Sequence, residues 1–259
     1  MLVVGGSTGK TGAPCLTAEA ALRAGAGIVT VCVPASLNLI FEQRLLEVMS
    51  RPCTDEDGVM TMDAADAILE AAVKATAVAI GPGIGRTDAV RALIGYLLDR
   101  LDKPIVLDAD GLWAAAGHLD WIFSRDAPTV LTPHAGELAR LLGRDSSAVS
   151  ARRLNAAQTG ADDVGAVVLL KGADTLVASP GRGVLVCDLG NPGLATAGTG
   201  DVLTGIVAAF LSKGMGAKVG AAAAAAAGGE AARLAAETHG SAGMIASDVV
   251  EALSPTLSR

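Results

Sequence analysis

Aromatic side chains are scarce in this chain: three Phe, two Trp and one Tyr in 259 residues. Basic residues are outnumbered too, 20 against 27 acidic ones, for a net charge of −7. A nucleic-acid partner is therefore not expected, because both the stacking platform and the basic stripe that neutralises phosphates are missing. Cys15, Cys32, Cys53 and Cys187 lie far apart, with no CxxC pair and no His at zinc-ligand spacing. They read as free, mostly buried thiols of a reducing compartment. Long apolar runs are absent as well. The longest uncharged stretch, Ala24 to Phe41, contains Gly25, Gly27, Pro34 and Asn38, which a spanning helix of about 20 apolar residues would not hold. The opening MLVVGGSTGK lacks the basic region and cleavage site of a secretory signal. These absences lead us to expect a cytoplasmic protein with no membrane partner. No Ser/Gly-rich linker or charge block interrupts the chain, so one domain over residues 1–259 is expected.

What is present is a chain that is 51% apolar and alternates short aliphatic strands with helix-period segments. Leu2 to Val4, Gly27 to Val33, Ala77 to Ile80, Pro104 to Leu107, Thr129 to Leu131 and Val167 to Leu170 are the strand candidates. Gly, Pro or Asp and then a helical stretch follow most of them, the pattern of repeated βαβ units. Strands buried on both faces account for the apolar content. Leu176 to Val177 and Gly183 to Cys187, joined across Ser179-Pro180-Gly181, predict a hairpin beside that sheet. Asp201 to Lys213, the Ala-rich Val219 to Thr238, and Ser247 to Leu253 predict helices. The fold class expected is α/β: three layers, α/β/α, around a mainly parallel sheet.

Val3 to Thr11 invites a phosphate-loop reading, with Asp108 after Ile105-Val106-Leu107 as its metal-site aspartate. The pattern requires a glycine where Val4 stands, however. A glycine turn that lets a ligand approach the backbone is the simpler account.

The strongest local signal is Asn191-Pro192-Gly193-Leu194-Ala195-Thr196-Ala197-Gly198-Thr199-Gly200-Asp201. A helix starting near Gly200 would gather the amides of Thr199, Gly200 and Asp201 into an anion hole. Asp201 would then sit beside a bound phosphate as a general base, or serve only as the helix cap. Leu170-Lys171-Gly172-Ala173-Asp174-Thr175 ends a strand with a lysine able to meet phosphate. Thr132-Pro133-His134-Ala135-Gly136-Glu137 ends another and puts His134 and Glu137 on one side of a helical turn. Both segments follow strand C-termini, where open parallel sheets bind ligands.

Together with Gly5 to Gly27, Ala79 to Gly85, Pro104 to Leu112, Leu131 to Leu142 and Gly243 to Leu253, these motifs resemble the ribokinase-like superfamily. Within it the similarity is to NAD(P)H-hydrate dehydratases of the YjeF C-terminal type. The resemblance implies dehydration of hydrated NADH or NADPH driven by phosphoryl transfer from ADP, or from ATP in other members, with Mg²⁺. It further implies that Ala13, Gly83, His134 and Asp201 contact the hydrate. Lys171, Gly172, Ala173, Asp174, Thr175 and Gly200 would hold the adenine nucleotide, and Glu137 would reach the metal through water or phosphate. Homo-oligomers, a tetramer among them, and cooperation with a separate NAD(P)H-hydrate epimerase are implied too. Lys10 stands where an aromatic is often found and Trp113 where Asn is more usual, and because the chain begins almost directly at the first strand, the expectation is that the leading helix often found in this family is missing or that the start is displaced. A small-molecule hydroxyl kinase and a non-catalytic adenine-nucleotide module remain the alternatives.

Overall fold

The computed structural model describes residues 1–258. Its strands are β1 (Leu2–Val4), β2 (Thr30–Pro34), β3 (Met49–Cys53), β4 (Asp55–Glu56), β5 (Val59–Met60), β6 (Val78–Ile80), β7 (Ile105–Leu107), β8 (Thr129–Leu131), β9 (Val167–Leu170), β10 (Thr175–Ala178) and β11 (Val184–Cys187). Nine of them form one sheet in the order β11-β10-β9-β8-β7-β6-β1-β2-β3, and β4 pairs with β5 apart from it. From β3 across to β9 every pairing is parallel; β10 and β11 are the antiparallel hairpin expected from the sequence.

The first half of the chain carries α1 (Gly12–Arg23), α2 (Asn38–Arg44), α3 (Ala65–Ala72), α4 (Asp88–Arg100), α5 (Asp110–Ala115) and α6 (Asp120–Phe123). The second carries α7 (Ala135–Leu141), α8 (Ser146–Ala151), α9 (Arg153–Val164), α10 (Thr199–Ser212), α11 (Ala217–His239) and α12 (Ala246–Leu257). None of the helices in the described residues is long and apolar enough to cross a membrane.

Side chains alternate across the sheet with the period of two that a pleat imposes. Leu2, Val4, Val78, Ile80, Ile105, Leu107, Leu131, Val168 and Leu170 meet α3, α4, α5, α7, α8 and α9. Their neighbours Val3, Ala77, Ala79, Val106, Val130, Val167 and Leu169 meet α1, α10, α11 and α12. The first face is built from large residues such as Leu93, Ile94, Leu97 and Leu98 of α4, all at most 1% exposed. Each contributes about 1.5–3 kcal/mol by burial. The second is thin, because alanines and glycines let the helices come close.

Two expectations needed correction. Strand β2 begins at Thr30 rather than Gly27, and β3 was not anticipated at all. Met49-Ser50-Arg51-Pro52-Cys53 has no apolar run because it is an edge strand, and its proline is tolerated there.

Helices α1 and α10 pack backbone to backbone at Gly205, where a Cβ would lie 2.2 Å from the Thr17 carbonyl oxygen. Gly205→Ala is therefore expected to force the helices apart and to destabilise the fold by about 1–3 kcal/mol. An unchanged denaturant midpoint would show that the contact has slack.

Candidate active site

The parallel strands all end at one edge of the sheet, and the loops leaving that edge carry most of the residues expected from the sequence to form the site. Lys171 follows β9 directly. Its amide donates to the Pro133 carbonyl (2.8 Å), and it bridges to His134, extending the sheet ladder beyond β8 and β9. The ammonium meets Asp108 Oδ1 at 3.0 Å and Glu137 Oε2 at 3.8 Å. Thr204, buried in α10, donates to the other Asp108 oxygen (2.7 Å). Burial pulls the Lys171 pKa down, but Asp108 and Glu137 outweigh it and raise it, so the cation persists.

His134 and Glu137 form a reciprocal cap on α7. Nδ1 of His134 accepts from the amides of Gly136 (3.0 Å) and Glu137 (3.3 Å), while Glu137 Oε2 accepts from the His134 amide (2.9 Å). The accepting Nδ1 leaves the ring proton on Nε2, which stands 3.5 Å from Glu137 Oε1.

Helix α10 starts one residue earlier than expected, with Gly198 in the left-handed cap position (φ 90°) and Asp201 at the third helical position. The first helical bond runs from the Val202 amide to the Gly198 carbonyl (3.0 Å), which leaves the amides of Thr199, Gly200 and Asp201 outside the helical ladder. The Thr199 hydroxyl turns back to the Leu194 and Thr196 carbonyls and holds the preceding loop. Asp201 makes no capping hydrogen bond. Its carboxyl is pushed up to about 7, by burial first and then by the Asp108 charge, with Lys171 partly offsetting both. The ammonium of Lys171 stands over the open helix end: a Cβ on Gly200 would lie 3.3 Å from it.

A cavity of about 570 Å³ opens beside this helix end. Lys171, Gly172, Ala173, Thr175, His134, Thr199 and Gly200 line it, as do Asn191, Leu194, Leu203, Ile206, Ala225, Gly228 and Gly229. Asp174 and Asp201 lie outside this wall. Asp174 faces a separate groove beside Arg153. That arginine donates to the Asp174 carbonyl (2.6 Å) and lies where a Cβ of Gly172 would be, so it fixes the loop from behind.

Ala13, at the start of α1, meets Gly83 of the loop after β6, and the Thr17 hydroxyl ties this corner to α10, lying 3.0 Å from the Ala13 carbonyl and 3.1 Å from that of Asp201. Gly83 has φ +62°, and a Cβ there would lie 2.6 Å from the Lys10 carbonyl and 3.2 Å from the Ala13 Cβ. The Ser7 hydroxyl donates to the Gly83 carbonyl (2.7 Å). The phosphate-loop reading of this turn does not hold. Lys10 binds Asp110 (2.8 Å) instead of facing the cavity, and Asp108 belongs to Lys171 and Thr204. Between the two aspartates Ala109 takes a strained left-handed conformation (φ 50°, ψ −115°), which sends their carboxylates to different partners.

Asp110, Thr204, Arg153 and the cavity wall from α11 went unnoticed in the sequence. The Asp-Ala-Asp after a buried strand and the Gly-Gly inside an alanine run are the signals that could have exposed two of them.

Such a sheet, with its site on the loops at the C-terminal edge, defines a ribokinase-like α/β/α protein. A ribokinase-like superfamily protein from Enterococcus faecalis shares the fold, with a TM-score of 0.82 over 99% of this chain and 86% of that one at 23% identity. More closely, the chain belongs to the NAD(P)H-hydrate dehydratase family, whose model matches residues 1–255. It is 42% identical to a bifunctional NAD(P)H-hydrate repair enzyme of Moorella thermoacetica, over 98% of this chain and 48% of the relative. It is 39% identical to an ADP-dependent (S)-NAD(P)H-hydrate dehydratase of Neisseria meningitidis, over 97% of this chain and 82% of that protein. The Bacillus subtilis ADP/ATP-dependent NAD(P)H-hydrate dehydratase, crystallised with ATP and Mg²⁺, matches with a TM-score of 0.83 and 28% identity over 100% of this chain and 90% of that one. The chain spans about half the length of several curated relatives it matches.

A carboxyl raised to about 7 from 3.8 binds its proton more tightly in the folded chain than in the unfolded one. Its contribution is complete below the unfolded value and is lost as pH rises through the folded one. Asp201→Asn does not titrate, so its stability relative to the wild type is expected to increase between about pH 4 and about pH 8. Urea midpoints measured at both values test this, and a constant offset would mean an ordinary carboxyl.

Proposed function

We propose that this chain repairs hydrated nicotinamide cofactors, dehydrating (6S)-NAD(P)H hydrate to NAD(P)H while ADP is split to AMP and phosphate. The observation that carries the reading is the open end of α10, with Asp201 on one side and the Lys171-lined cavity on the other. The names of the Neisseria and Bacillus relatives support the same substrate and nucleotide.

On this reading the adenine nucleotide occupies the cavity between Lys171 to Thr175 and Gly200. The hydrate binds where Ala13, Gly83, His134 and Asp201 converge. Asp201 takes the proton of the ring hydroxyl as that oxygen attacks the phosphoryl group. The amides of Thr199, Gly200 and Asp201, with the Lys171 ammonium, hold the charge that develops on the group in transfer. Hydroxide is a poor leaving group and phosphate a good one, so the ring nitrogen can then expel phosphate, and loss of a proton from the adjacent ring carbon restores the ring double bond of NAD(P)H.

Among the described residues no three His, Cys, Asp or Glu converge on a metal cage. Asp108 and Glu137 already accept from Lys171, Thr204 and His134, so Mg²⁺ fits only as an ion carried on the nucleotide phosphates, with Glu137 reaching it through water or a phosphate oxygen. When bound, the ion neutralises phosphate charge. A cytoplasmic location and a homo-oligomeric state, a tetramer among its forms, belong to the same proposal. The chain would cooperate with a separate NAD(P)H-hydrate epimerase.

Purified protein incubated with hydrated NADH or NADPH, Mg²⁺ and either ADP or ATP should restore the reduced-nicotinamide absorbance. Phosphorylation of small alcohols in its place would make the chain a hydroxyl kinase, and nucleotide binding without turnover a binding module.

Asp201→Asn is expected to lower turnover by roughly 10²- to 10⁴-fold with ADP affinity kept. Wild-type kcat/KM should rise with pH until the Asp201 carboxyl is ionised, near 7. Near-normal turnover in the variant would remove Asp201 from the chemistry. Gly200→Val is expected to abolish ADP binding and Lys10→Ala to leave it intact; calorimetry giving the reverse would move the nucleotide to the first glycine turn.

A further inference from the structure

One cluster beside the site is used by none of these steps. Asp110 is almost fully buried, and it accepts from two cations at once: Lys10 Nζ on Oδ2 (2.8 Å) and Arg86 Nε on Oδ1 (2.6 Å), with the Gly85 amide completing Oδ2 (3.1 Å). Burial pushes its carboxyl up, yet Lys10 and Arg86 outweigh that and hold it below the usual range. A buried carboxylate needs one cation for neutrality, and this one has two. Both cationic side chains are 47% exposed, and among the described residues nothing else accepts from either. One positive charge and several N–H donors therefore face outward.

Their position gives that charge a use. Lys10 lies against Gly83, which also meets Ala13, and the Asp110 charge is close enough to act on Asp201, whereas none of Lys10, Arg86 and Asp110 lines the cavity beyond Gly200; the cluster therefore borders the Ala13 and Gly83 corner of the site. At the nucleotide end, Lys171 and the α10 amides can meet phosphate. At the other end a dinucleotide would bring its own phosphates into a chain of net charge −7, past Asp108, Glu137 and Asp201. Lys10 and Arg86 are the cations placed to receive them.

We propose that Lys10 and Arg86, clamped side by side on Asp110, form a phosphate site for the dinucleotide substrate, distinct from the site for the adenine nucleotide. This rests on the reading above that the hydrate binds at Ala13 and Gly83. The phosphate can be the diphosphate bridge, common to both cofactors, or the 2′-phosphate found only in NADPH.

The test measures binding of NADH and NADPH to the full chain in the presence of AMP, by nicotinamide fluorescence, and needs no turnover. Charge-assisted hydrogen bonds of this kind are worth roughly tenfold each in affinity. Lys10→Met and Arg86→Met are each expected to weaken dinucleotide binding by about tenfold, Lys10→Arg to retain it, and all three to keep wild-type AMP affinity. Loss confined to NADPH assigns the 2′-phosphate, and equal loss for both assigns the diphosphate. Wild-type affinity should also fall as salt rises, a readout independent of how the variants fold. Unchanged affinity in the Met variants, salt-independent binding, a loss that Lys10→Arg shares, or a wild type that binds neither dinucleotide would overturn the proposal. Wild-type binding that tracks these charges without any repair of the hydrate would sink only the catalytic reading.

Discussion

A single ammonium organises the functional edge of this molecule. Lys171 is the cation around which Asp108, Glu137 and Asp201 can be gathered in a largely dry space, and without it three carboxylates would repel one another there. Its backbone is held by the sheet itself, through the bond to Pro133 and the bridge to His134, so the charge has a fixed address. The other charged parts follow from that address. Asp108 is tied to α10 through Thr204, Glu137 to α7 through its reciprocal cap with His134, and the open end of α10 lies under the same nitrogen. The arrangement joins β7, β8, β9 and α10, elements that are far apart in sequence, into one rigid frame.

That frame explains why Asp201 differs from its neighbours. Asp108 and Glu137 each have donors of their own, whereas Asp201 has burial and adjacent negative charge with only a shared cation to offset them. Two kinds of carboxylate arise from one cluster, one kind engaged by direct donors and one, Asp201, poised to exchange a proton near neutrality. Separating roles in this way needs no special residue type, only unequal access to one lysine.

Much of this was legible in the sequence because the informative features are local. Strand-turn-helix signals such as Thr132 to Glu137 and Gly198 to Asp201 show their chemistry within a few residues, and buried strands show in apolar runs. What could not be read depends on long-range geometry or on an absent signal. Strand β3 has a polar, proline-containing sequence because it is an edge. The partners of Asp110 are 100 and 24 residues away, so no spacing rule reveals them. Asp108 looked like a metal-site aspartate because its strand context was right, and only the fold gives it to Lys171. Whether Asp201 was a cap could be decided only once Gly198 was seen to hold the cap position.

Helix α11 faces two ways with the same small residues. Ala225, Gly228 and Gly229 form part of the cavity wall, and Gly228 and Gly229 have Ala224, Ala227, Ala231 and Ala232 packed into the core around them. At Gly229 the helix comes so close to the loop before Asn191 that a Cβ would lie 2.4 Å from the Leu189 carbonyl. Along this wall the cavity is bounded by backbone and small side chains, which leave little to trim one group at a time. In evolutionary terms the helix is a shared constraint: the shape of the cavity and the stability of the fold cannot drift independently along it, and diversification of this pocket falls to the other walls, the side chains of α10 and the loops.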